Sequence, residues 1–205
     1  NKIFGPGNSY VAEAKKYVSN KVAIDLYAGP SEVMVVTNDK EKISLASIDA
    51  LSQLEHGKDS SAFILSKSKS VLDGIKKEIK SLSKDLSRTN LLDCSKNNIS
   101  LVKCKSDKDI VNMINDCAPE HLVLLDDDFP RYLDSIENAG SVFCGSKSPV
   151  AFGDYASGTN HVLPTSGWAK SSSGLSTNDF VKKVSFQQTS KNAFNYLSDK
   201  VIKLS

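Results

Sequence analysis

The sequence predicts an α/β fold with a mostly parallel sheet. Short apolar runs of strand length alternate with segments whose apolar residues recur at helical spacing, which is typical of β-α-β units. The 205 residues, 40% of them apolar, suffice for one domain or two small lobes with a core. No internal repeat and no Pro-rich or Gly-rich linker divides the chain. We therefore expect a folded, globular protein.

The first elements are placed by helix caps and β-rich runs. Asn8 or Ser9 is expected to cap a helix that runs through Val18, and strands are predicted at 22–24 and 33–37. Asp39 is expected to cap a helix over 41–56. Gly57 follows it at the position where a left-handed residue would end the helix.

The middle of the chain continues the same alternation. Apolar residues at helical spacing, Val71, Ile75, Ile79 and Leu82, predict a helix over 71–82. Further strands are predicted at 62–65, 99–102, 121–125 and 141–143, and further helices at 107–116 and 130–138.

The last part differs in composition. Residues 146–174 are rich in Gly, Ser, Pro and Thr and have little periodicity, which predicts a long functional loop. A final amphipathic helix over 191–204 would carry Ala193, Phe194, Leu197 and Val201 on one side. The chain starts at a strand-to-helix turn and ends after this helix, so we expect it to be the middle of a longer protein.

Charge and hydropathy exclude several classes of partner. The 26 basic residues are balanced by 24 acidic ones, for a net charge of +2, so no broad positive field is available for nucleic acid. Apolar runs such as 122–125 are far shorter than a membrane span, and no signal peptide is recognisable. The sequence thus predicts a soluble, cytoplasmic protein without nucleic-acid or membrane partners.

The four cysteines form no C-x-x-C pair, which argues against a zinc ribbon, a redox pair or a disulfide framework. We interpret all four as buried thiols: Cys94, Cys104, Cys117 and Cys144.

The three histidines are more informative, and the first follows a glutamine near a helix end. Gln53 and His56 are three residues apart, so their side chains share one helix face and could converge on one small target. An exposed helix end, with His56 favoured there by the helix dipole, explains the same spacing and is preferred on spacing alone.

The second histidine stands beside a carboxylate. Glu120 and His121 at the start of a predicted strand are groups suited to proton transfer. A solvated start of a strand accounts for them equally well.

The third histidine ends a dense polar segment in the long loop, residues 153–161. Glycines allow close backbone approach to a ligand, and Asp154, Tyr155 and His161 supply polar groups within this segment. Here we favour a functional site over a polar surface loop.

Two further turns are weaker signals. Residues 5–8 (GPGN) resemble half of a dinucleotide fingerprint, but Tyr10 stands where the third Gly belongs. Ser31 follows a Gly-Pro turn and lacks the G-x-S-x-G context of a nucleophile elbow. Because each histidine has a carboxylate or an amide close by, one site of this kind could hold Zn²⁺ in an N/O environment.

Longer motifs in a fixed order point to a family. They are 5–8 (GPGN), 23–33 (AIDLYAGPSEV), 52–57 (SQLEHG), 118–122 (APEHL), 139–143 (AGSVF) and 153–165 (GDYASGTNHVLPT). This series strongly resembles the histidinol dehydrogenase family, across nearly the whole chain but only about half of the family's usual length. The resemblance implies two incomplete Rossmann-like domains and a small helical tail. Residues 1–117 would be part of the first, on the NAD side, 118–175 would complete the second, and 176–205 would start the tail domain.

The resemblance also implies a reaction, the zinc-dependent oxidation of L-histidinol through L-histidinaldehyde to L-histidine with two NAD⁺. The zinc would bind the substrate and would not change its own oxidation state. Matched position by position, Gln53, His56 and Asp154 would be the zinc ligands and would also contact substrate, which overturns the helix-end interpretation. By the same match, His121 would be the base for the alcohol proton and would also touch substrate, and Glu120 would activate water. The other implied contacts are Ser31, Tyr155 and His161 to substrate and Asn8 to NAD.

The family's fourth zinc ligand is a tail histidine of the partner subunit in a homodimer, and no histidine follows His161 in this sequence. An alternative hypothesis is therefore a catalytically incomplete fragment that binds zinc or an imidazole ligand weakly. An unrelated zinc hydrolase with Glu120 as base ranks below both.

Overall fold

Short parallel strands form the framework of the chain. The computed structural model describes residues 2–5, 7, 9–27, 29–83 and 98–204, so the proposed cap at Asn8 and the thiol of Cys94 lie outside the described residues. The strands are β1 (Lys2–Ile3), β2 (Ala23–Ile24), β3 (Glu32–Val36), β4 (Ser61–Ser66), β5 (Ile99–Lys103), β6 (His121–Leu124) and β7 (Ser141–Cys144).

Helices occupy most of the connections between these strands. They are α1 (Ser9–Val18), α2 (Ile43–Leu54), α3 (Lys69–Leu82), α4 (Asp107–Cys117), α5 (Pro130–Leu133), α6 (Val150–Tyr155) and α7 (Lys191–Ile202), with 3-10 turns at Lys40–Lys42, Trp168–Lys170 and Thr177–Phe180. The Asp39 carboxylate accepts a hydrogen bond from the Glu41 backbone N–H and so caps the first of these turns, which leads into α2.

The strands make two sheets within residues 1–175, which form one compact unit. β1 pairs with β2, and the other five lie in the order β5-β4-β3-β6-β7; each of these pairings is parallel. Counted from β3, this is the order 3-2-1-4-5 of a Rossmann sheet without its sixth strand. The prediction of an α/β fold with a mostly parallel, incomplete Rossmann-like sheet is confirmed.

The core lies on both faces of the five-stranded sheet. On one face, Ala46 and Ala50 of α2 and Ile75 of α3 pack against the sheet, and on the other face Ile110 and Ile114 of α4 do so. Strand β3 at the centre is buried on both faces, which explains its uninterrupted apolar sequence from Val33 to Val36.

The sheet and the compact unit both run through the predicted boundary between residues 117 and 118. The division of the chain into two family domains at that point stays a prediction.

Three local expectations are wrong. The predicted helix over 130–138 ends at Leu133 after one turn, and the predicted loop over 146–174 contains α6 and a 3-10 turn. Gly57 does not adopt a left-handed conformation; α2 ends at Leu54, Glu55 remains in right-handed helical geometry, and the chain turns through a Ser60 N–H bond to the Gly57 carbonyl.

Residues 176–205 form the second compact unit. Its 3-10 turn begins with a capping box in which Ser176 and Asp179 each bond the other's backbone N–H. The predicted terminal helix is α7, capped by the Ser190 side chain, and its apolar residues Phe194 and Leu197 are exposed.

The described cysteines are free thiols. Cys104 is buried, whereas Cys117 and Cys144 are half-buried, so the expectation of burial holds only in part for them. Burial raises the pKa of each thiol. Among the described helices, none combines the length and the apolar character needed to cross a membrane.

Candidate active site

The predicted site residues gather at the edge of the sheet where the strands begin. His121 is the first residue of β6 and lies beside Val33 of β3. In a parallel sheet each connecting helix runs back, so its end lies near the start of the next strand. The end of α2, with Gln53 and His56, therefore comes to the same edge. Ligands of parallel sheets usually bind at the opposite, carboxyl edge, at the point where the strand order reverses. In this sheet the order reverses between β3 and β6. The candidate groups, however, lie at the amino ends of these two strands.

A sharp turn delivers Glu120 and His121 to this edge. Helix α4 ends at Cys117, and the residue that caps it, Ala118, is buried and left-handed, with a φ of 50°. On the other side, the Gly140 N–H donates to the Pro119 carbonyl at 2.8 Å and the Ser141 N–H donates to the Glu120 carbonyl at 2.9 Å. A Cβ at residue 140 would lie 2.5 Å from the Glu120 carbonyl oxygen, so only glycine fits beside this turn.

The Glu120 carboxylate is held by two donors. The Ser31 hydroxyl donates to its Oε2 at 2.6 Å, and the Glu32 backbone N–H donates to the same atom at 2.9 Å. Burial raises the pKa of Glu120, and these two hydrogen bonds and the charges of His161 and His56 oppose the shift only in part. A buried carboxyl with a raised pKa holds a proton more readily than an exposed one, which suits it to accept and return a proton.

His121 has one nitrogen occupied and one without a partner. Its Nδ1 lies 3.2 Å from the Glu32 carbonyl oxygen, which can only accept, so the proton of the neutral ring is on Nδ1. Nδ1 is also 3.5 Å from Oε2 of Glu120. Burial lowers the pKa of His121, although the Glu32 carbonyl and the charge of Asp154 oppose the shift. Nε2 is buried without a hydrogen-bond partner among the described residues and is thus a free base.

Gln53 and His56 differ in exposure. Gln53 stands in the last turn of α2, is buried, and its Nε2 has no hydrogen-bond partner in the described part of the chain. His56 lies just after the helix and is exposed. The charge of His56 lowers the pKa of Glu120, so the end of α2 and the turn before β6 belong to one electrostatic environment.

Helix α6 and the segment after it bring the third motif to the site. His161 Nδ1 lies 2.8 Å from Asp154 Oδ1, the carboxylate being 18% and the imidazole 62% exposed. The charge of Asp154 raises the pKa of His121, and the charge of His161 lowers it. Tyr155, in contrast, is 88% exposed. A Cβ on Gly153 would meet the Phe143 ring at 2.6 Å, so glycine lets α6 pack against β7.

A cavity joins this edge to the amino-terminal turn. It has a volume of about 340 Å³, and its walls include Gly7, Ser31 and His56. The turn itself is fixed by a buried ion pair: Lys15 Nζ lies 2.6 Å from Asp25 Oδ1, and the other carboxylate oxygen accepts from the Gly5 N–H at 2.8 Å. The Gly5 N–H is therefore already used within the protein.

Glu32 is a residue of the site that sequence reasoning missed. Its carbonyl fixes the His121 ring, its N–H holds Glu120, and its own carboxylate accepts from the Ser166 N–H at 2.9 Å. Burial raises the pKa of Glu32, and the adjacent charge of Glu120 adds to the shift. The signal in the sequence that could have identified Glu32 is a charged residue at the start of an otherwise apolar, buried strand.

A metal could be held by the N/O groups near this edge. In the described ranges, no three His, Cys, Asp or Glu residues are grouped closely enough to hold an ion. The set suggested by the sequence contains two such residues, His56 and Asp154, and an amide, Gln53. The unpartnered Nε2 of His121 is an orphaned acceptor that a substrate hydroxyl would satisfy, whereas the unpartnered Nε2 of Gln53 is a donor, so Oε1 is the atom of that amide that could bind an ion. The donor chemistry is thus compatible with Zn²⁺.

Comparison with known proteins identifies relatives over the whole chain. The family model described as Histidinol dehydrogenase matches residues 1–205. The histidinol dehydrogenase of Colwellia psychrerythraea is 41% identical over 100% of this chain and 48% of its own length, and that of Schizosaccharomyces pombe is 43% identical with the same coverage. The crystal structure of histidinol dehydrogenase from Elizabethkingia anophelis is 38% identical, with a TM-score of 0.92 over 99% of this chain and 47% of that one. The chain spans about half the length of the curated relatives it matches.

Proposed function

The chain belongs to the histidinol dehydrogenase family, and on that premise we propose that it carries the acid-base and metal-binding groups of a histidinol-oxidising enzyme of histidine biosynthesis. The reaction is the oxidation of L-histidinol through L-histidinaldehyde to L-histidine. Bound NAD⁺ would supply the hydride acceptor for each of the two oxidations. The observation that carries the proposal is the buried, unpartnered Nε2 of His121 beside a buried carboxyl.

His121 takes the proton of the substrate alcohol. The Glu32 carbonyl holds the proton of the neutral imidazole on Nδ1, which leaves the Nε2 lone pair free to accept. Because burial lowers the pKa of His121, the ring is neutral and ready to act as a base near pH 7.

Glu120 activates the water that adds to the aldehyde. Its two hydrogen bonds from Ser31 and Glu32 both use Oε2, so Oε1 is available to take a proton from water. The second oxidation needs a hydrated carbonyl, and a separate carboxylate suits that step because His121 serves the first.

Gln53, His56 and Asp154 would hold Zn²⁺, completed by a histidine of the partner subunit in a homodimer. Bound Zn²⁺ supplies a Lewis acid that anchors and polarises the substrate without changing its own oxidation state. His161, which is paired with Asp154 in this structure, then becomes free to contact the substrate, together with Ser31 and Tyr155.

The cavity lined by Gly7 and Ser31 supports a cofactor approach from the amino-terminal turn. Asn8 is proposed as an NAD contact on the resemblance alone, since it lies outside the described residues. We further propose that the protein works in the cytoplasm.

Rates with the alcohol and with the aldehyde test these assignments. In the full-length protein, His121→Asn should lower histidinol oxidation by about 10²- to 10⁴-fold, because the alcohol proton loses its acceptor. Glu120→Gln should lower histidinaldehyde oxidation by a similar factor and affect the alcohol step less. Exposed Glu41→Gln is the matched control. Wild-type rates in both site variants would contradict the proton-transfer roles of His121 and Glu120.

A second candidate is a protein that binds zinc or an imidazole ligand weakly and catalyses nothing. The absence of a three-residue His, Cys, Asp or Glu cluster within the described ranges favours it. Zinc titration separates the two: tight one-to-one binding that His56→Ala abolishes contradicts this second candidate.

A further inference from the structure

The buried side-chain amide of Gln53 has a donor whose hydrogen bond is not made among the described residues. Its side chain is 4% exposed, and no group among the described residues accepts from Nε2. A buried donor without an acceptor costs about 1–3 kcal/mol. The position is therefore one where function, and not stability, accounts for the amide.

Ligation of a metal would fix which side of the amide faces the ion. Only Oε1 has lone pairs to offer, since the amide nitrogen is a donor. With Oε1 directed to the ion, Nε2 is directed away from it and still requires an acceptor. The groups behind a ligand commonly set its orientation in this way.

One helical turn before Gln53, α2 carries the carboxylate of Asp49 on the same side of the helix. Asp49 precedes Gln53 by four residues, so the two side chains are neighbours on the helix surface. Asp49 is half-buried, and within the described part of the chain no hydrogen bond or ion pair reaches its carboxylate. Burial alone raises its pKa to about 6. An unpartnered acceptor thus stands beside an unpartnered donor.

We propose that Asp49 is a positioning residue of the metal site, accepting a hydrogen bond from Nε2 of Gln53 and thereby turning Oε1 toward the ion. This inference rests on the proposed function, because it assumes that Gln53 is a ligand. Asp49 itself stays outside the coordination sphere. In this structure Nε2 has no acceptor among the described residues, so the hydrogen bond forms as Oε1 turns toward the ion, and it then satisfies the buried donor.

Zinc affinity, measured by competition with a chromophoric chelator in the full-length protein, tests the proposal. Asp49→Ala should weaken Zn²⁺ binding by about 10- to 100-fold. Asp49→Asn retains an acceptor oxygen and should lose distinctly less zinc affinity than Asp49→Ala. Ser52→Ala, next to Gln53 but exposed, is the matched control and should bind as wild type does. Equal losses in the Ala and Asn variants would overturn the hydrogen-bonding role, because long-range attraction by the charge would then suffice.

Two further readouts separate positioning from folding and from ligation. The zinc-free melting temperature of Asp49→Ala should equal or exceed that of wild type, since an uncompensated buried carboxylate is removed; a fall would overturn the proposal. The absorption bands of the Co²⁺-saturated variant should keep their wild-type positions, and shifted bands would show that Asp49 is itself a ligand. Wild-type zinc affinity in Asp49→Ala overturns this inference alone. Failure of the wild-type protein to bind zinc overturns the proposed metal site as well.

Discussion

Gly140→Ala offers a sharp test of how the sheet positions the carboxyl of Glu120, which we propose to be catalytic, although residue 140 touches no substrate in our proposal. The added Cβ would lie 2.5 Å from the carbonyl oxygen of Glu120 and 3.3 Å from its carbonyl carbon and Cα. These are backbone atoms, so no side chain can rotate to relieve the contact. The turn before β6 and the start of β7 must therefore move apart.

The size of the effect follows from the distances. An ordinary contact needs at least 3.4 Å, so the two backbones must separate by roughly 1 Å. Such a movement would break or stretch the 2.8 Å bond from the Gly140 N–H and the 2.9 Å bond from the Ser141 N–H. We expect a loss of about 1–3 kcal/mol in the free energy of unfolding. Glu120 would shift relative to Ser31, and a displacement of about 1 Å at a catalytic group can cost on the order of 10²-fold in rate.

Urea unfolding followed by circular dichroism measures the first effect, and histidinaldehyde oxidation by the full-length protein measures the second. Gly57→Ala is the stability control, because its Cβ would meet only the Ser60 hydroxyl at an ordinary 3.6 Å. If Gly140→Ala unfolds within about 0.5 kcal/mol of wild type and oxidises the aldehyde at the wild-type rate, the tight turn does not position Glu120.

Two other regions yield expectations of their own. Ser31→Ala removes a donor to the Glu120 carboxylate and should raise its pKa further, moving the acid limb of the pH–rate profile to higher pH; an unmoved limb would exclude Glu120 as the titrating group. Lys15→Met should cost about 3–5 kcal/mol in urea unfolding, because the Asp25 carboxylate is left buried and unpaired; a cost below about 1 kcal/mol would contradict this. Burial alone would raise the pKa of Asp25, but its hydrogen bonds from Lys15, Gly5 and Leu26 lower it overall. The stability due to this pair should therefore be present above the unfolded-state pKa of Asp25 and be lost as the pH falls through the folded-state value, when wild type and Lys15→Met are compared.

Periodicity was enough to predict the longer elements. Helix α3 and strand β3 have clear apolar patterns, and their packing in the core agrees with those patterns. The α/β class follows from their alternation. Strand order, however, depends on contacts between distant residues, which a single sequence does not encode locally.

The shortened helix α5 shows how a tertiary contact can override local preference. The Asn115 side chain of α4 accepts hydrogen bonds from the backbone N–H groups of Glu137 and Asn138 and donates to the Ser135 carbonyl. These backbone groups would otherwise continue the helix beyond Leu133. The competing partner is 20 or more positions away, so the pattern at 130–138 gave no sign of it.

The candidate site was predicted in its residue types but not in its arrangement. The motifs identified Glu120 and His121, yet the bond between Ser31 and Glu120 joins residues 89 positions apart. Glu32 was missed because its main contribution to His121 is a backbone carbonyl, which no residue type reveals. The location at the amino ends of β3 and β6 became visible only with the strand order.

The stoichiometry and zinc dependence of the reaction test the central proposal most directly. The full-length protein should be stripped of metal with a chelator, and histidine and NADH should be counted after addition of histidinol and NAD⁺, with and without restored Zn²⁺. We expect two NADH per histidine, loss of turnover without the metal, and recovery on its return. Histidine formed without NADH, or at an undiminished rate in the metal-free protein, would contradict the proposal.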